Sequence, residues 1–281
     1  MRSTTRQHGF TLIELIMVIV IMGVIGSMVA VFMKSPIDAY FDSGRRAALT
    51  DVADTVVRRI ARDLQGSLPN SIRNGPAGTN CLEFIPTKTG GRYRATGALS
   101  LDFTAGSAAF NMLGGNSAPI PADQRIVPGD VIVIYNLGFN PANAYGGSNT
   151  ATVGGSAPLA ESAAPTIETT IPLTATVTFP LESGSRRFHV VPGAERMVSY
   201  VCSGSNLRRT ASAAFTPNAS CPATGPTIAN NVNCSATSTW FNYIGSDLQR
   251  NGLVSMGLTI RDGSGTESIT LQHEVHVSNT P

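Results

Sequence analysis

The chain has 281 residues, a formal charge of +2, 14% charged residues and 42% hydrophobic residues, with a mean hydropathy of +0.08. So sparse and balanced a charge lacks the basic field of a general nucleic-acid binder, and no nucleic acid is expected as a partner. No internal repeat is present, and the length is accounted for by a stem and one large head.

In chain order, Met1–His8 is a short leader carrying Arg2 and Arg6, followed by Gly9-Phe10-Thr11-Leu12-Ile13-Glu14 and an apolar run to Met33. At about 1.5 Å per residue that run spans a hydrocarbon core of roughly 30 Å as a single helix. A secretory signal is cut after its apolar stretch, which is only about 7–15 residues long. Here the expected cut comes before it. Gly9 presents no side chain to a protease, and cleavage between Gly9 and Phe10 would free Phe10 on the cytoplasmic side, where the arginines hold the leader. The apolar helix then stays with the mature protein.

Glu14 is the one carboxylate inside the run, at a cost of about 2.5–3.5 kcal/mol in lipid. A local reading lets it snorkel or stay protonated one turn from the membrane surface. In the assembly reading, Glu14 of one copy neutralises the Phe10 amine of a neighbour in a helical stack and sets the register between subunits.

Beyond Lys34, Pro36 removes a backbone donor and is expected to bend the helix or weaken one turn. The helix then resumes in amphipathic form: Ile37, Phe41, Ala48, Val52, Val56, Ile60 and Leu64 form one stripe, with charged residues mostly on other faces. Gly66, Ser67 and Pro69 end it. From about Asn70 the composition turns to Gly, Pro, Ser, Thr and Asn with short β-prone runs. Strands are predicted at 81–86, 99–103, 131–135, 175–179, 188–191, 197–202, 253–261 and 267–277, the last two joined by Asp262-Gly263-Ser264-Gly265. Residues 138–165, poor in large apolar groups, read as an exposed loop. The predicted class is α+β, a long N-terminal helix packed on an antiparallel sheet head.

Chemistry-bearing constellations are few. The four cysteines, Cys81, Cys202, Cys221 and Cys234, all fall in the head, and an even count in an oxidising compartment favours two disulfides. Closing the loop after a strand favours Cys202 with Cys221 and hence Cys81 with Cys234, and Cys221 with Cys234 is nearly as easy. No Cys-x-x-Cys pair seeds a zinc site. His273 and His276 lie in a predicted strand and should point to opposite faces. Trp240, Phe241 and Tyr243 suggest an aromatic platform, with alternation expected to set Phe241 apart from the other two. There is no Gly-x-Ser-x-Gly elbow and no phosphate loop, so no catalytic or metal residue, no cofactor and no enzyme activity is expected.

The segment from Gly9 to Glu14 with its apolar helix resembles the class III signal of type IV pilins and of the pseudopilins of type II secretion systems. The stretches 40–51 and 58–64 and the ending 272–281 are similar to the MshO group of minor pilins of the mannose-sensitive haemagglutinin pilus, which in turn resembles the J-type minor pseudopilins. The resemblance implies cleavage between Gly9 and Phe10 by a prepilin peptidase, N-methylation of Phe10, and assembly through Phe10 and Glu14. Its implied division is leader 1–9, membrane half of the helix 10–35, amphipathic half 36–68 and periplasmic or extracellular head 69–281. It further implies a single-pass inner-membrane protein with a cytoplasmic N-terminus. The implied partners are the membrane, other minor pilins, the major pilin, the prepilin peptidase and an inner-membrane assembly platform. A minor pilin of a tip complex, a minor pseudopilin of a secretion system and a glycan-binding adhesin are the three functions left open.

Overall fold

The computed structural model describes residues 9–163, 165–245, 251–265 and 267–281. It divides into two compact units, Met1–Ala48 and Leu49–Pro281. Helix α1, Leu12–Gln65, contributes to both.

In the first unit α1 passes through Pro36 without interruption, although proline has no N–H for the Phe32 carbonyl one turn back. Its large apolar side chains, Leu12 to Met33, are all exposed. An unpartnered apolar surface on this scale marks contact with lipid or with other helices. Tyr40 and Phe41 stack edge to face with ring centroids 5.9 Å apart, and Asp42 pairs with Arg45 one turn on.

In the second unit the last turns of α1 bury Ala53, Val56, Val57, Ile60 and Leu64, with Leu49 partly covered. The predicted stripe holds at Val56, Ile60 and Leu64 and fails before them. Ile37 and Phe41, in the first unit, and Val52, in the second, are exposed; Ala53, about 100° around the helix from Val52, is the residue that meets the strands there.

Two antiparallel sheets share the α1 core. One has the order β1 (Arg73–Asn74), β2 (Asn80–Phe84), β9 (Met197–Ser203), β10 (Asn206–Ser212), β11 (Thr227–Asn230), and the other β12 (Trp240–Ile244), β13 (Gly252–Arg261), β14 (Ser268–Val277). Leu82, Phe84, Val198, Tyr200 and Leu207 from the first and Val254, Met256, Leu258 and Ile260 from the second pack with the helix. The β13–β14 turn closes as predicted, the Gly265 N–H donating to the Asp262 carbonyl at 3.0 Å. A second core lies between the sheet β3 (Thr89–Arg92), β8 (Arg187–Val191), β5 (Val131–Val133), β6 (Thr150–Thr152) and the pair β4 (Ser107–Leu113), β7 (Glu168–Val177).

Several predicted elements change. Residues 99–103 form no strand: Leu99 adopts φ +57°, Leu101 is buried and the ladder begins at Ser107 instead. The strand placed at 175–179 is the tail of β7, which starts at Glu168. Residues 138–165 are not a simple exposed loop. Ala142, Ala144, Tyr145, Ala151, Val153 and Leu159 are buried there, β6 pairs with β5, and the Tyr145 hydroxyl donates to the Ser71 carbonyl at 2.7 Å. Strands β1, β3, β4, β6, β10, β11 and β12 lie outside the predicted strands.

The disulfides also correct the expectation: Cys81 bonds Cys221 and Cys202 bonds Cys234. Cys81 stands opposite Val201 and Cys202 opposite Asn80 in the β2–β9 ladder, so the pleat sends the two cysteines to opposite faces. Cys81, Val201 and Cys221 cluster on one face, while Cys202 joins the helix-facing core with Cys234 packed against it. Neither Cys202–Cys221 nor Cys81–Cys234 can form across the sheet.

Candidate assembly site

The expected processing and assembly residues lie at the start of α1. Residues 1–8, most of the expected leader, are outside the described residues. At Gly9 an added Cβ would meet nothing within 4 Å, and Phe10 is 88% exposed. Both sit in non-helical chain just before the helix, where a peptide bond is open to approach.

Thr11 and Glu14 close the first turn on each other. The Glu14 N–H donates to Thr11 Oγ1 at 3.4 Å and the Thr11 N–H donates to Glu14 Oε2 at 3.4 Å. This is the reciprocal capping arrangement of Ser/Thr at the N-cap with Glu/Gln three residues later, here with long hydrogen bonds. The signal was present in Thr11-Leu12-Ile13-Glu14 but was not read from the sequence. Glu14 therefore satisfies the Thr11 N–H within its own chain, and places a carboxylate at the positive end of the helix dipole.

At the other end of α1 an ionic cluster fastens the helix to the first sheet. Asp63 Oδ2 accepts the Tyr200 hydroxyl at 2.7 Å and Arg209 Nε at 3.0 Å. Arg209 also grips Glu195 with both terminal nitrogens, at 3.1 and 3.0 Å. Burial opposes the Arg209 charge, but Glu195 and Asp63 outweigh it and raise its pKa. Burial, followed by the bond to Asp63, pushes the Tyr200 phenol up. A second cluster centres on Glu83, whose side chain is 0% exposed. Arg73 pairs with one of its oxygens, reaches the carbonyls of Thr216 and Pro217 at 2.9 and 2.7 Å, and lies 3.5 Å from the centroid of the Tyr145 ring. The other carboxylate oxygen has no hydrogen-bond partner among the described residues.

The remaining sequence candidates separate. His273 and His276 stand opposite Met256 and Leu253 in the β13–β14 ladder, on opposite faces by strand alternation. Phe241 and Tyr243 share a face and both pack on the α1 core, while Trp240 lies over Gly257, its indole nitrogen 2.5 Å from where a Cβ would stand. The platform is thus divided differently from expectation: positions 241 and 243 share the parity of the pleat, and Trp240 is the one set apart.

Residues 4–30 match the family model described as the prokaryotic N-terminal methylation motif. No curated protein and no solved structure matches the chain. The motif, the one helix among the described residues that is long and apolar enough to cross a membrane, and the antiparallel sheets behind it support a type IV pilin-like class of protein. The motif implies processing by a prepilin peptidase and assembly with other pilins, and it points to a structural subunit.

Proposed function

We propose that this protein is a minor pilin that acts in assembly or initiation of a type IV pilus of the mannose-sensitive haemagglutinin type, in a tip complex with other minor pilins and the major pilin. The observation that carries this reading is a methylation motif at residues 4–30 joined to a helix, long and apolar enough to cross a membrane, whose large apolar side chains from Leu12 to Met33 are exposed. Cleavage between Gly9 and Phe10 and N-methylation of Phe10 would produce a subunit stored in the inner membrane, with residues 10–35 spanning it, the N-terminus cytoplasmic and the head from residue 69 periplasmic. On leaving the membrane, the apolar helix exchanges lipid for the helices of neighbouring subunits, so its burial is conserved while its location changes. Glu14 would pair with the Phe10 amine of a neighbour. A carboxylate and an amine that are each costly in lipid stabilise one another once adjacent, which favours one axial register over its neighbours.

The test is mass analysis of the envelope-extracted protein together with a Gly9→Val variant. The native chain is expected to begin at a methylated Phe10, and the variant to accumulate as an uncleaved precursor. A native chain retaining Met1 overturns the proposal. Deletion of the gene then separates the pilus from a secretion machine: loss of surface fibres with export of soluble proteins intact supports the pilus. The reverse result assigns the chain to a type II secretion pseudopilus.

A further inference from the structure

The edge of the second core's sheet carries a charge arrangement that nothing in the described structure balances. β3 is the edge strand of its sheet, and in its ladder with β8 Arg92 stands opposite Arg187 and Gly90 opposite His189. The Tyr93 N–H donates to the Arg186 carbonyl at 3.0 Å. The adjacent Arg92–Arg187 pair therefore occupies the position where facing side chains come closest, with Cβ atoms about 4.5–5.5 Å apart. Like charges directly opposite one another destabilise a sheet.

No carboxylate among the described residues forms an ion pair with either arginine. Acids of the described residues pair with Arg45, Arg58, Arg73, Lys88, Arg94 and Arg209, and none of these pairs includes Arg92 or Arg187. Tyr93 packs into the second core, and strand alternation sets the neighbouring Arg92 on the opposite face. Gly90, Arg92, Arg187 and His189 instead border a concavity of about 260 Å³. A Cβ on Gly90 would stand 2.8 Å from the Phe188 carbonyl oxygen and 3.9 Å from His189 Nδ1, so the bare backbone keeps the space beside the imidazole open. His189 is half-buried, and burial, then the charge of Arg187, holds its pKa below the usual value.

We propose that Gly90, Arg92, Arg187 and His189 form a binding site for a tetrahedral oxyanion, a phosphate or sulfate group, carried by a free small molecule or by an anionic surface glycan. Two guanidinium forks from facing strands and an imidazole N–H offer donors from three directions, whereas a planar carboxylate is saturated by a single fork. An anion bearing close to two charges also cancels the repulsion that the empty site carries. The imidazole contributes a directed donor and the two arginines contribute the charge, so the site discriminates by geometry as well as by sign.

The test is thermal unfolding of the full chain in a neutral detergent at fixed ionic strength, with phosphate, sulfate, chloride or a sulfated tetrasaccharide added. At about 100 times the dissociation constant, phosphate and sulfate are expected to raise the native Tm by roughly 5–10 °C, with chloride far weaker. Arg92→Ala and Arg187→Ala should lose the shift. Arg92→Glu, which replaces repulsion by attraction, should raise the Tm of the unliganded protein and abolish the response, so its folding and its loss of binding are read separately. A tetrasaccharide bound at least about tenfold more tightly than free sulfate supports the glycan as carrier, and equal affinity supports the free anion. Chloride matching sulfate, or variants that keep the shift, overturns the proposal. So does a native protein indifferent to oxyanions whose arginine variants fail to enter filaments, since that result gives the pair to a carboxylate of a neighbouring subunit.

Discussion

The carboxylate of Glu14 accepts the backbone N–H of Thr11 at 3.4 Å while the Thr11 hydroxyl oxygen accepts the N–H of Glu14 at the same distance. Glu14 thus has two separable duties, capping the helix and carrying charge, and a pair of substitutions divides them. Glutamine preserves the capping arrangement and removes the charge, whereas alanine removes both. If the charge is what pairs with a neighbour's Phe10 amine, Glu14→Gln and Glu14→Ala should both lower incorporation into sheared filaments by more than about tenfold. If Glu14→Gln enters filaments like the native chain, capping is the whole of its role.

Peptide mapping under non-reducing conditions is expected to recover Cys81 linked to Cys221 and Cys202 linked to Cys234. Removing either bridge should cost about 2–5 kcal/mol by denaturant midpoint. Cys81→Ser should cost more than Cys234→Ser, because its bridge spans 140 residues against 32 and constrains the unfolded chain more. A recovered Cys202–Cys221 peptide would show that the two strands hold a different register.

Arg73→Ala leaves the Glu83 carboxylate buried without its cation and should lower stability by about 3–5 kcal/mol. The double variant Arg73→Met with Glu83→Gln, which removes both charges, should recover much of that loss. Equal destabilisation by the single and double variants would mean that Arg73 acts through its stacking on Tyr145 and not through its charge.

Burial raises the phenols of Tyr93, Tyr145, Tyr200 and Tyr243 above their ordinary value. An unfolded tyrosine ionises near pH ~10, and the folded protein holds these protons to higher pH. The stability they contribute is therefore complete below about pH 10 and is lost as pH rises beyond it. Denaturant midpoints measured across that range should fall, and fall less steeply for Tyr200→Phe. At neutral pH the same variant should cost about 1–3 kcal/mol, because Asp63 loses the hydroxyl it accepts from inside the sheet.

The fold was readable where hydrophobic pattern and burial coincide. β9 and β13 are apolar enough to announce themselves, and they lie where the pattern placed them. β10 was missed because Asn206-Leu207-Arg208-Arg209-Thr210 reads as polar surface. It is a strand because β9 and β11 satisfy its backbone on both sides and because Arg209 finds two acids. The departure of the helix stripe at Val52 has a similar cause. Val52 and Ala53 fit apolar spacings about equally well, and only the position of the strands selects Ala53 for burial. Tyr145 likewise lay in a stretch that composition marks as loop, and its burial follows from a carbonyl of Ser71 far away in the chain.

The amino-acid sequence alone determined what is local: a six-residue signal around Gly9, Phe10 and Glu14, the apolar length behind it, and the periodic elements of the head. These are set by near neighbours along the chain, so no long-range contact is needed to read them. The tertiary structure decided which cysteine meets which, which face of α1 is covered, and that Arg92 confronts Arg187. Each of those depends on strand register, where a shift of one residue reverses every side chain, and register is fixed only when distant strands pack together.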